Sequence, residues 1–342
     1  MKLKQNHIIP TDINCPICQS DTVFKIYEFF PSYVENTFYD IYKCNSCETQ
    51  FILGENTPSK LYEAIYRLDD TPGYDRYKNY AKVIKGVLNP LKFLSEQEFA
   101  YYAVHEYLKT VKKTSIKSLK ILEIGSGLGY LTYAVNKFGY STLGIDISKV
   151  ATDNAKKQFG DYYLNSSIEK LVNYKADLII ATELVEHLDD PINFIKNCLN
   201  SLDNDGVILL TTPNYYIKNE IWGTDLPPIH RFWFSKKSFE VIARNFNLYH
   251  KFMSLSEYNP KNENLLINLL MTHLRGDKLP SPVFSENLTH VLKGNSHSSL
   301  RAMTRKILLS IPIRHLSNLC FKLVSDQYNS FSILLKKSED FE

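Results

Sequence analysis

The stretch Leu119–Asp146, LKILEIGSGLGYLTYAVNKFGYSTLGID, decides the fold of this chain. Its apolar start, KILEI, predicts a buried strand that runs into the glycine-rich turn Gly125-Ser126-Gly127-Leu128-Gly129. A helical segment follows the turn, and a second apolar run ends at Asp146. Glycines allow a backbone to approach a ligand closely, and an acid at the end of the next strand can bind two ribose hydroxyls. The stretch therefore indicates a site for a nucleoside cofactor.

The spacing of the glycines distinguishes this turn from a dinucleotide site. The dinucleotide fingerprint is G-x-G-x-x-G, whereas this turn reads G-x-G-x-G and has Tyr130 at the place of the third glycine. Glu123 lies near the end of the first strand, where its carboxylate would suit an ammonium group. These residues resemble motif I of the class I S-adenosylmethionine (SAM)-dependent methyltransferases, with Asp146 matching their ribose-binding acid. The resemblance implies SAM as the cofactor and an α/β fold with a Rossmann-like sheet of seven strands.

The chain after residue 119 alternates predicted strands and helices, which is typical of a parallel sheet with crossover helices. The predicted strands cover residues 119–124, 141–146, 161–164, 177–182, 206–212, about 248–256 and 330–337. The predicted helices fall near residues 97–112, 129–138, 148–159, 191–201 and 236–246. The last strand resembles the final antiparallel strand of the class I fold. Residues 259–328 would then be a helical insertion before that strand.

The resemblance also implies which residues contact the cofactor. Ile147 would lie against the adenine face, and the run NSSIE after the third strand resembles the family segment that contacts the adenine edge. The strand DLIIA is expected to end beside the cofactor, because ligands gather at the carboxyl ends of strands in such sheets. The expected cofactor residues are Glu123, Gly125, Ser126, Gly127, Gly129, Asp146, Ile147, Ser167, Ile168 and Thr182.

A second motif follows the fourth predicted strand of the sheet. The segment reads DLIIATELVEHLDDP from Asp177, and it contains Glu183, Glu186 and His187 in the pattern E-x-x-E-H. On a helical turn, positions i, i+3 and i+4 share one face. Two carboxylates and an imidazole placed in this way could bind a divalent metal or carry out acid–base chemistry. A third interpretation is that these side chains only pack beside the reaction centre.

The E-x-x-E-H segment resembles two groups of SAM enzymes. One is the ubiquinone-biosynthesis O-methyltransferases and their small-molecule relatives. The other is the small-RNA 3′-terminal 2′-O-methyltransferases, which add a distant histidine to bind a metal at the ribose hydroxyls. His230, after the turn TTPN, is a candidate for that histidine. The expected catalytic residues are His187, Glu183, Glu186 and His230; a second divalent metal would be held at Glu183, Glu186 and His187.

Two CxxC pairs precede this domain. Cys15-Pro-Ile-Cys18 and Cys44-Asn-Ser-Cys47 match the ligand pattern of tetrahedral zinc, because each short knuckle turns two sulfurs toward one point. A unit this small needs the metal for its stability. Residues 1–55 are therefore predicted to form a zinc ribbon, and they resemble the ribbon that precedes the catalytic domain of some bacterial methyltransferases. Residues 56–115 are predicted to be a helical cap or linker, and 116–342 the methyltransferase domain.

Composition limits the remaining possibilities. The chain has 342 residues, 44% of them hydrophobic, which supports a sizeable core. The formal net charge of +3 is too small to indicate a nucleic acid or a membrane surface as the partner. Four paired cysteines favour metal binding in a reducing compartment, and the start of the chain shows no apolar leader. We expect a cytoplasmic protein with no transmembrane segment; the sequence carries no signal for an oligomeric state.

These observations predict SAM-dependent methyl transfer to an oxygen or a carbon of a small molecule, such as a sugar, a quinone-like ring or a glycan precursor. An RNA 3′-terminal 2′-O-methyltransferase with an E-x-x-E-H metal site is the first alternative. The mild charge argues against it, and Ile229 and Trp233 stand where those RNA enzymes have acids. A non-catalytic protein that keeps the SAM fold is the second alternative. The intact glycine turn, Asp146 and the E-x-x-E-H motif argue against loss of activity.

Overall fold

Two β-sheets form the framework of the residues that the computed structural model describes, which are 9–67, 71, 74–114, 119–215, 225–254, 258, 282–291 and 330–338. The first sheet contains the strands β1 (Ile9–Pro10), β2 (Val23–Pro31), β3 (Phe38–Cys44), β4 (Gln50–Ile52) and β10 (Phe232–Trp233). The second contains β5 (Lys120–Ile124), β6 (Ser141–Asp146), β7 (Tyr163–Asn165), β8 (Ala176–Thr182), β9 (Leu202–Pro213), β11 (Tyr249–Phe252) and β12 (Ser330–Lys336).

The seven-stranded sheet has the order β11-β12-β9-β8-β5-β6-β7. Its strands β5 to β9 are parallel, and β12 runs antiparallel to both β9 and β11. Strand β8 reads ADLIIAT and is almost entirely buried, as expected of a parallel strand that is covered on both faces. The predicted α/β fold with a mostly parallel sheet of seven strands is confirmed.

Helices cover both faces of this sheet. Helix α1 (Ser59–Arg67) packs on the first sheet instead. The helices on the large sheet are α2 (Asp75–Val83), α3 (Pro90–Ser95), α4 (Phe99–Thr114), α5 (Tyr130–Phe138), α6 (Lys149–Phe159), α7 (Pro191–Asn200) and α8 (Lys236–Asn245), and short 3₁₀ turns lie at Ile84–Gly86, Ile168–Lys170 and Val185–His187. Apolar side chains from α2 to α6 pack on one face, and those from α7 and α8 pack on the other. The described part of the segment 56–115 is mostly helical, and its role as a cap or linker stays a prediction.

Local capping explains where two of these helices begin. The side chain of Asp190 accepts a hydrogen bond from the Asn193 amide, and Pro191 occupies the first helical position of α7. Ser235 and Ser238 form a reciprocal capping box at the start of α8. Both helices begin at the residues that the sequence predicts, 191 and 236.

Three strands differ from their predicted bounds by more than one residue. Strand β7 begins at Tyr163 rather than at residue 161, because Gly160 has a φ of 101° and the Tyr162 amide bonds back to its carbonyl at 3.0 Å. Strand β9 begins earlier than residue 206, since Leu202 pairs with Ala176. Strand β11 is shorter than predicted and ends at Phe252.

Most of the predicted helical insertion, residues 259–328, lies outside the described residues. The described part, 282–291, contains no helix. Phe284 forms single bridges with Val34 and His290, and its side chain is fully buried against the first sheet. This piece of the insertion therefore packs on the N-terminal sheet. Among the parts of the chain that can be described, none of the helices combines the length and the apolar character needed to span a bilayer.

The N-terminal sheet is not confined to the N-terminal segment. Strand β10 lies between β9 and α8 in the chain, yet it pairs antiparallel with β4, with Phe232 opposite Phe51 and Trp233 opposite Gln50. The sheet therefore crosses the boundary predicted at residue 55. The division into a ribbon domain at residues 1–55 and a larger domain stays a prediction. In the structure, the described part of the ribbon shares a sheet with the larger domain.

Candidate active site

A cavity of about 800 Å³ lies at the carboxyl ends of β5, β6 and β8. Doubly wound sheets bind their ligands at this edge. All the residues predicted to contact the cofactor line the cavity except Gly129: Glu123, Gly125, Ser126, Gly127, Asp146, Ile147, Ser167, Ile168 and Thr182. The four residues predicted to be catalytic, Glu183, Glu186, His187 and His230, line it as well. The predicted cofactor residues, apart from Gly129, and the predicted catalytic residues thus line the same cavity.

The glycine turn connects β5 to α5. Gly125, Gly127 and Gly129 have φ values of 75°, 48° and 81°, in the left-handed region that favours glycine. Gly129 lies away from the cavity, and a Cβ built on it would be 2.6 Å from the Cβ of Ala155 and 2.8 Å from Cε1 of Tyr163. In this structure Gly129 therefore allows α5 to pack closely on α6 and β7, which is the task of the third glycine in a dinucleotide site.

Asp146 lies at the carboxyl end of β6 and orders the glycine turn. Its carboxylate accepts hydrogen bonds from the backbone amides of Gly127 and Ser148, both at 2.8 Å. Burial raises the pKa of Asp146 above its ordinary value, although the two amide bonds act in the opposite direction. The side chain faces the cavity and has further acceptor capacity for hydroxyl groups.

Glu123 provides a second carboxylate at the same end of the cavity. It is buried on β5, and the Thr132 hydroxyl donates a short hydrogen bond to it. Burial raises its pKa from 4.5 to about 8. A cation beside this carboxylate would favour its charged form. The site is therefore suited to an ammonium group, as the sequence predicted.

The E-x-x-E-H segment is not a helical turn. Glu183 has a φ of 48°, and only Val185–His187 form a 3₁₀ turn. The prediction that Glu183, Glu186 and His187 share one helical face is wrong, because a left-handed residue interrupts the helical path. Glu183 bonds to β9 instead: its amide donates to the Thr211 carbonyl at 3.0 Å, and its Oε1 accepts from the Thr211 hydroxyl at 3.1 Å.

Glu186, His187 and His230 come together in place of the predicted set. One potential ligand atom from each lies within 4.8 Å of the other two. Oε2 of Glu186 accepts from the Thr212 hydroxyl at 3.0 Å, whereas its buried Oε1 has no hydrogen-bond partner among the described residues. Burial, and then the charge of Glu183, raises the pKa of Glu186 well above its ordinary value. A buried carboxylate with an unpaired oxygen, such as that of Glu186, is stable only when it is protonated or paired with a cation.

The ring of His187 is oriented by a backbone carbonyl. Nδ1 lies 2.8 Å from the Ile229 oxygen, and since a carbonyl can only accept, Nδ1 carries the proton. Nε2 then presents its lone pair, 3.8 Å from Oε1 of Glu186, and the His230 ring packs edge-on at 4.5 Å between centroids. Burial lowers the pKa of His187, so the ring is neutral. Metal-binding histidines have this type of orientation.

Several residues of the cavity were missed from the sequence. Asp225, Asp189, Tyr62 and Tyr77 all line it near the histidines. Tyr62 and Tyr77 come from the helical segment 56–115, which contains no motif. Asp225, in the run DLPPIH, lies five positions before His230, and this proximity is the one signal that could have pointed to it.

The four cysteines of the ribbon converge as predicted. Sγ of Cys15 lies 3.6 Å from Sγ of Cys47, and Sγ of Cys18 lies 3.5 Å from Sγ of Cys44. Thiolates about 2.3 Å from a tetrahedral zinc ion would be about 3.8 Å apart, so the cluster fits that ion. The hydrogen bond from Cys15 lowers the pKa of Cys47 to about 5, which leaves one thiolate ready for a metal.

The strand order, the glycine turn after the first strand of the large sheet and the acid after the second agree with the class I SAM-dependent methyltransferase fold that the sequence predicts. Comparison with known proteins agrees. A family profile described as "Methyltransferase domain" matches residues 96–250. Residues 96–250, a little under half of the chain, are thus similar to a methyltransferase domain.

The relatives include ubiquinone biosynthesis O-methyltransferases. The protein of Haemophilus ducreyi is 29% identical over 144 residues, which cover 39% of this chain and 56% of the relative. That of Pelagibacter ubique is 35% identical over 113 residues, which cover 31% and 47%. The chain thus spans about half the length of these relatives. A solved SAM-dependent methyltransferase from Archaeoglobus fulgidus has a TM-score of 0.44 at 15% identity, over 77% of this chain and all of that one.

Proposed function

We propose that the protein transfers the methyl group of SAM to an oxygen of a small molecule. The observation that carries this proposal is the single cavity, in which Glu123 and Asp146 lie at one end and Glu186, His187 and His230 at the other. The similar proteins include ubiquinone biosynthesis O-methyltransferases, which supports oxygen as the acceptor atom over carbon. A sugar, a quinone-like ring or a glycan precursor fits such a site.

The cofactor would supply an activated methyl group on a sulfonium, so the protein's main task is positioning. Asp146 would accept hydrogen bonds from the ribose hydroxyls while its amide partners keep the glycine turn in place. Glu123 would ionise as it pairs with the ammonium group. Ser167 and Ile168 would lie at the adenine. These residues would leave the part of the cavity beside Thr182 and the histidines for the acceptor.

We further propose that Glu186, His187 and His230 hold a divalent cation at the acceptor end, instead of Glu183, Glu186 and His187. The buried Oε1 of Glu186 and the Nε2 of His187 supply two suitable ligand atoms. Two imidazoles and one carboxylate suit Mn²⁺, Fe²⁺ or Zn²⁺ better than Mg²⁺. A bound cation would lower the pKa of an acceptor hydroxyl. Without a cation, Nε2 of His187 would take that proton as a general base.

The four cysteines would hold a structural zinc ion, because a closed set of four thiolates leaves no open position for a substrate. Their thiols must stay reduced, which supports a cytoplasmic location. The acceptor end carries Glu183, Glu186, Asp189 and Asp225, and such a concentration of acids would repel the phosphates of RNA. This charge supports a small-molecule acceptor over an RNA 3′ end.

Calorimetry with SAM tests the first step. We expect a dissociation constant in the range of about 1–100 μM for the wild-type protein. No binding by the folded wild type would overturn the proposal, and binding without any methyl transfer would favour a non-catalytic SAM-fold protein.

Transfer of tritium from labelled SAM tests the acceptor. Phenols, quinols and sugars are offered in parallel with short RNAs. Label in the small molecules alone supports the proposal, whereas label in RNA alone would overturn the small-molecule assignment.

Removal of the divalent cation tests the metal site. A chelator should abolish transfer, and one added divalent ion should restore it. Full activity after chelation, with zinc retained in the ribbon, would leave His187 as the base.

A further inference from the structure

The ribbon and the segment that carries His230 are connected through the backbone. Strand β4 pairs with β10, which begins two residues after His230. The Ile52 amide also donates to the carbonyl of Arg231 at 3.0 Å. The last strand of the ribbon therefore fixes the chain next to one of the proposed metal ligands.

The cysteine cluster leads directly into this contact. Cys47 is separated from β4 by two residues, and the Thr49 hydroxyl lies 3.2 Å from its Sγ. The Thr49 hydroxyl also bonds to the hydroxyl of Ser238 at 2.9 Å, and Ser238 donates to the Cys47 carbonyl at 3.1 Å. The knuckle is thus attached to α8, the helix that follows β10.

Arg231 bridges the ribbon and the acceptor end. Its side chain is only 5% exposed, and its guanidinium donates to the carbonyls of Glu55 at 2.8 Å and Gly54 at 3.1 Å. Nε also forms an ion pair with Asp189 at 3.1 Å. The backbone amide of Arg231 donates to the carbonyl of Glu186 at 2.8 Å. One residue thereby contacts the end of the ribbon and both ends of the segment 186–189.

The neighbouring residues complete the same connection. The carbonyl of Ile229 accepts the proton of His187 Nδ1, so the segment 229–231 holds Glu186 by its backbone and His187 by its ring. The guanidinium of Arg231 donates to two carbonyls and pairs with one carboxylate in a fixed fork, whereas a lysine ammonium on a flexible stem cannot reproduce that geometry. The contacts of Arg231 are therefore specific to arginine.

We infer that Arg231 is a positioning residue that makes the ribbon part of the acceptor site. It acts through Glu186, His187 and His230. Arg231 does not itself line the cavity, but it contacts Glu186 and Asp189, which do. The inference rests on the proposed function, because it assigns Arg231 to the same acceptor site. If Arg231 only attached the ribbon, its loss would lower stability without changing the 183–189 segment selectively.

The test compares Arg231→Met and Arg231→Lys with the control Lys237→Ala. Lys237 also joins the ribbon to the larger domain, through an exposed ion pair with Glu48 at 3.4 Å, but it lies away from the cavity. Turnover at saturating SAM should fall about 10²-fold in Arg231→Met, because a small displacement of reacting groups has an effect of that size. Arg231→Lys should recover part of the loss. SAM affinity should stay within about twofold in all three variants.

Hydrogen exchange by mass spectrometry gives a readout independent of activity. Peptides covering 183–189 should exchange about tenfold faster in Arg231→Met than in Lys237→Ala, while peptides covering β6 should not differ. Equal exchange in the two variants would overturn the inference, and so would unchanged turnover in a folded Arg231→Met protein. If the wild type binds no SAM, the proposed function fails, and the exchange experiment still decides the positioning role.

Arg231→Met could fail to fold, since the side chain is buried. Asp189→Asn then provides the second variant, because it removes the charge of the ion pair and leaves the bonds from Arg231 to the ribbon. We expect a loss of turnover smaller than about tenfold at unchanged SAM affinity and thermal stability. Unchanged turnover and unchanged exchange of 183–189 in this variant would overturn the inference.

Discussion

The two ends of the cavity are built in different ways. The cofactor end comes from one continuous stretch, Glu123 to Ile168, in which each functional residue lies at the end of a strand or in the turn that follows it. The acceptor end combines Tyr62, the segment 183–189 and the segment 225–230, which are far apart in sequence. The cofactor end thus depends on local backbone geometry, whereas the acceptor end depends on long-range contacts.

Their electrostatics differ as well. Asp146 is satisfied by two backbone amides, and Glu123 by the hydroxyl of Thr132. At the acceptor end, Oε1 of Glu186 is buried with no hydrogen-bond partner in the described chain. The first end is ordered before its ligand arrives, while the second retains an acceptor atom that needs a cation or a proton. Four predictions test this contrast, beginning with the largest effect.

Replacing the oriented imidazole should have the largest effect. His187→Gln removes the Nε2 lone pair, and turnover should fall about 10³-fold with little change in SAM affinity, because only the acceptor end is altered. Tritium transfer measures the rate, and calorimetry measures the affinity. His250→Gln, on the exposed edge strand β11, is the matched control. A comparable loss of SAM affinity in His187→Gln would show that the two ends are not independent.

Asp146→Asn should act on the opposite end. It keeps the shape of the side chain but loses the charge that strengthens hydrogen bonds to the ribose, so SAM affinity should fall about 10²-fold. Asp153→Asn is the control, since Asp153 lies on the neighbouring helix α6 in an exposed pair with Lys149. An unchanged dissociation constant in Asp146→Asn would remove this residue from the cofactor site.

Gly129→Ala tests whether the cofactor end depends on backbone geometry. The new Cβ would meet Ala155 at 2.6 Å, and the positive φ would strain it, so the free energy of unfolding should fall by about 2 kcal/mol. Gly86→Ala is the control, because no atom lies within 4 Å of its Cβ position. Urea denaturation measures both proteins. Equal stability of the two variants would contradict the packing role of Gly129.

The smallest effect concerns the pH dependence of the ligand-free protein. In the folded state the pKa of Glu123 is about 8, and in the unfolded state it returns to about 4.5. Between these values the folded protein keeps a proton that the unfolded chain has lost, so stability falls as the pH rises through this window. Glu123→Gln should reduce the difference in unfolding free energy between pH 5 and pH 8 by an amount on the order of 1 kcal/mol.

Saturating SAM sharpens this last test, because a bound ammonium would ionise Glu123 and flatten the same slope. The exposed residue Glu240, on α8, provides the control variant Glu240→Gln, which should keep the wild-type slope. A wild-type slope in Glu123→Gln would mean that another group titrates in this range.

Much of the large domain could be predicted from the sequence. Glycines in a fixed pattern and apolar runs placed β5, β6 and the turn between them, and Asp190 and Ser235 marked the starts of α7 and α8. The left-handed conformation of Glu183 could not be predicted, because nothing in the local sequence requires it. In the structure, Glu183 in this conformation forms hydrogen bonds with Thr211 on β9, which is far away in sequence. For the same reason the metal set was predicted at Glu183, Glu186 and His187, with His230 only as the candidate distant histidine.

The sequence by itself determined the residues of the cofactor end and of the cysteine cluster. Each strand end, each glycine turn and each CxxC knuckle is a local structure whose own residues lie within a few positions of one another. Only the tertiary structure decided which side chains face one another at the acceptor end. The pairing of β4 with β10 brings the ribbon, Arg231 and the histidines into one unit. Such long-range pairing is set by how complete elements pack, and no short pattern of residues encodes it.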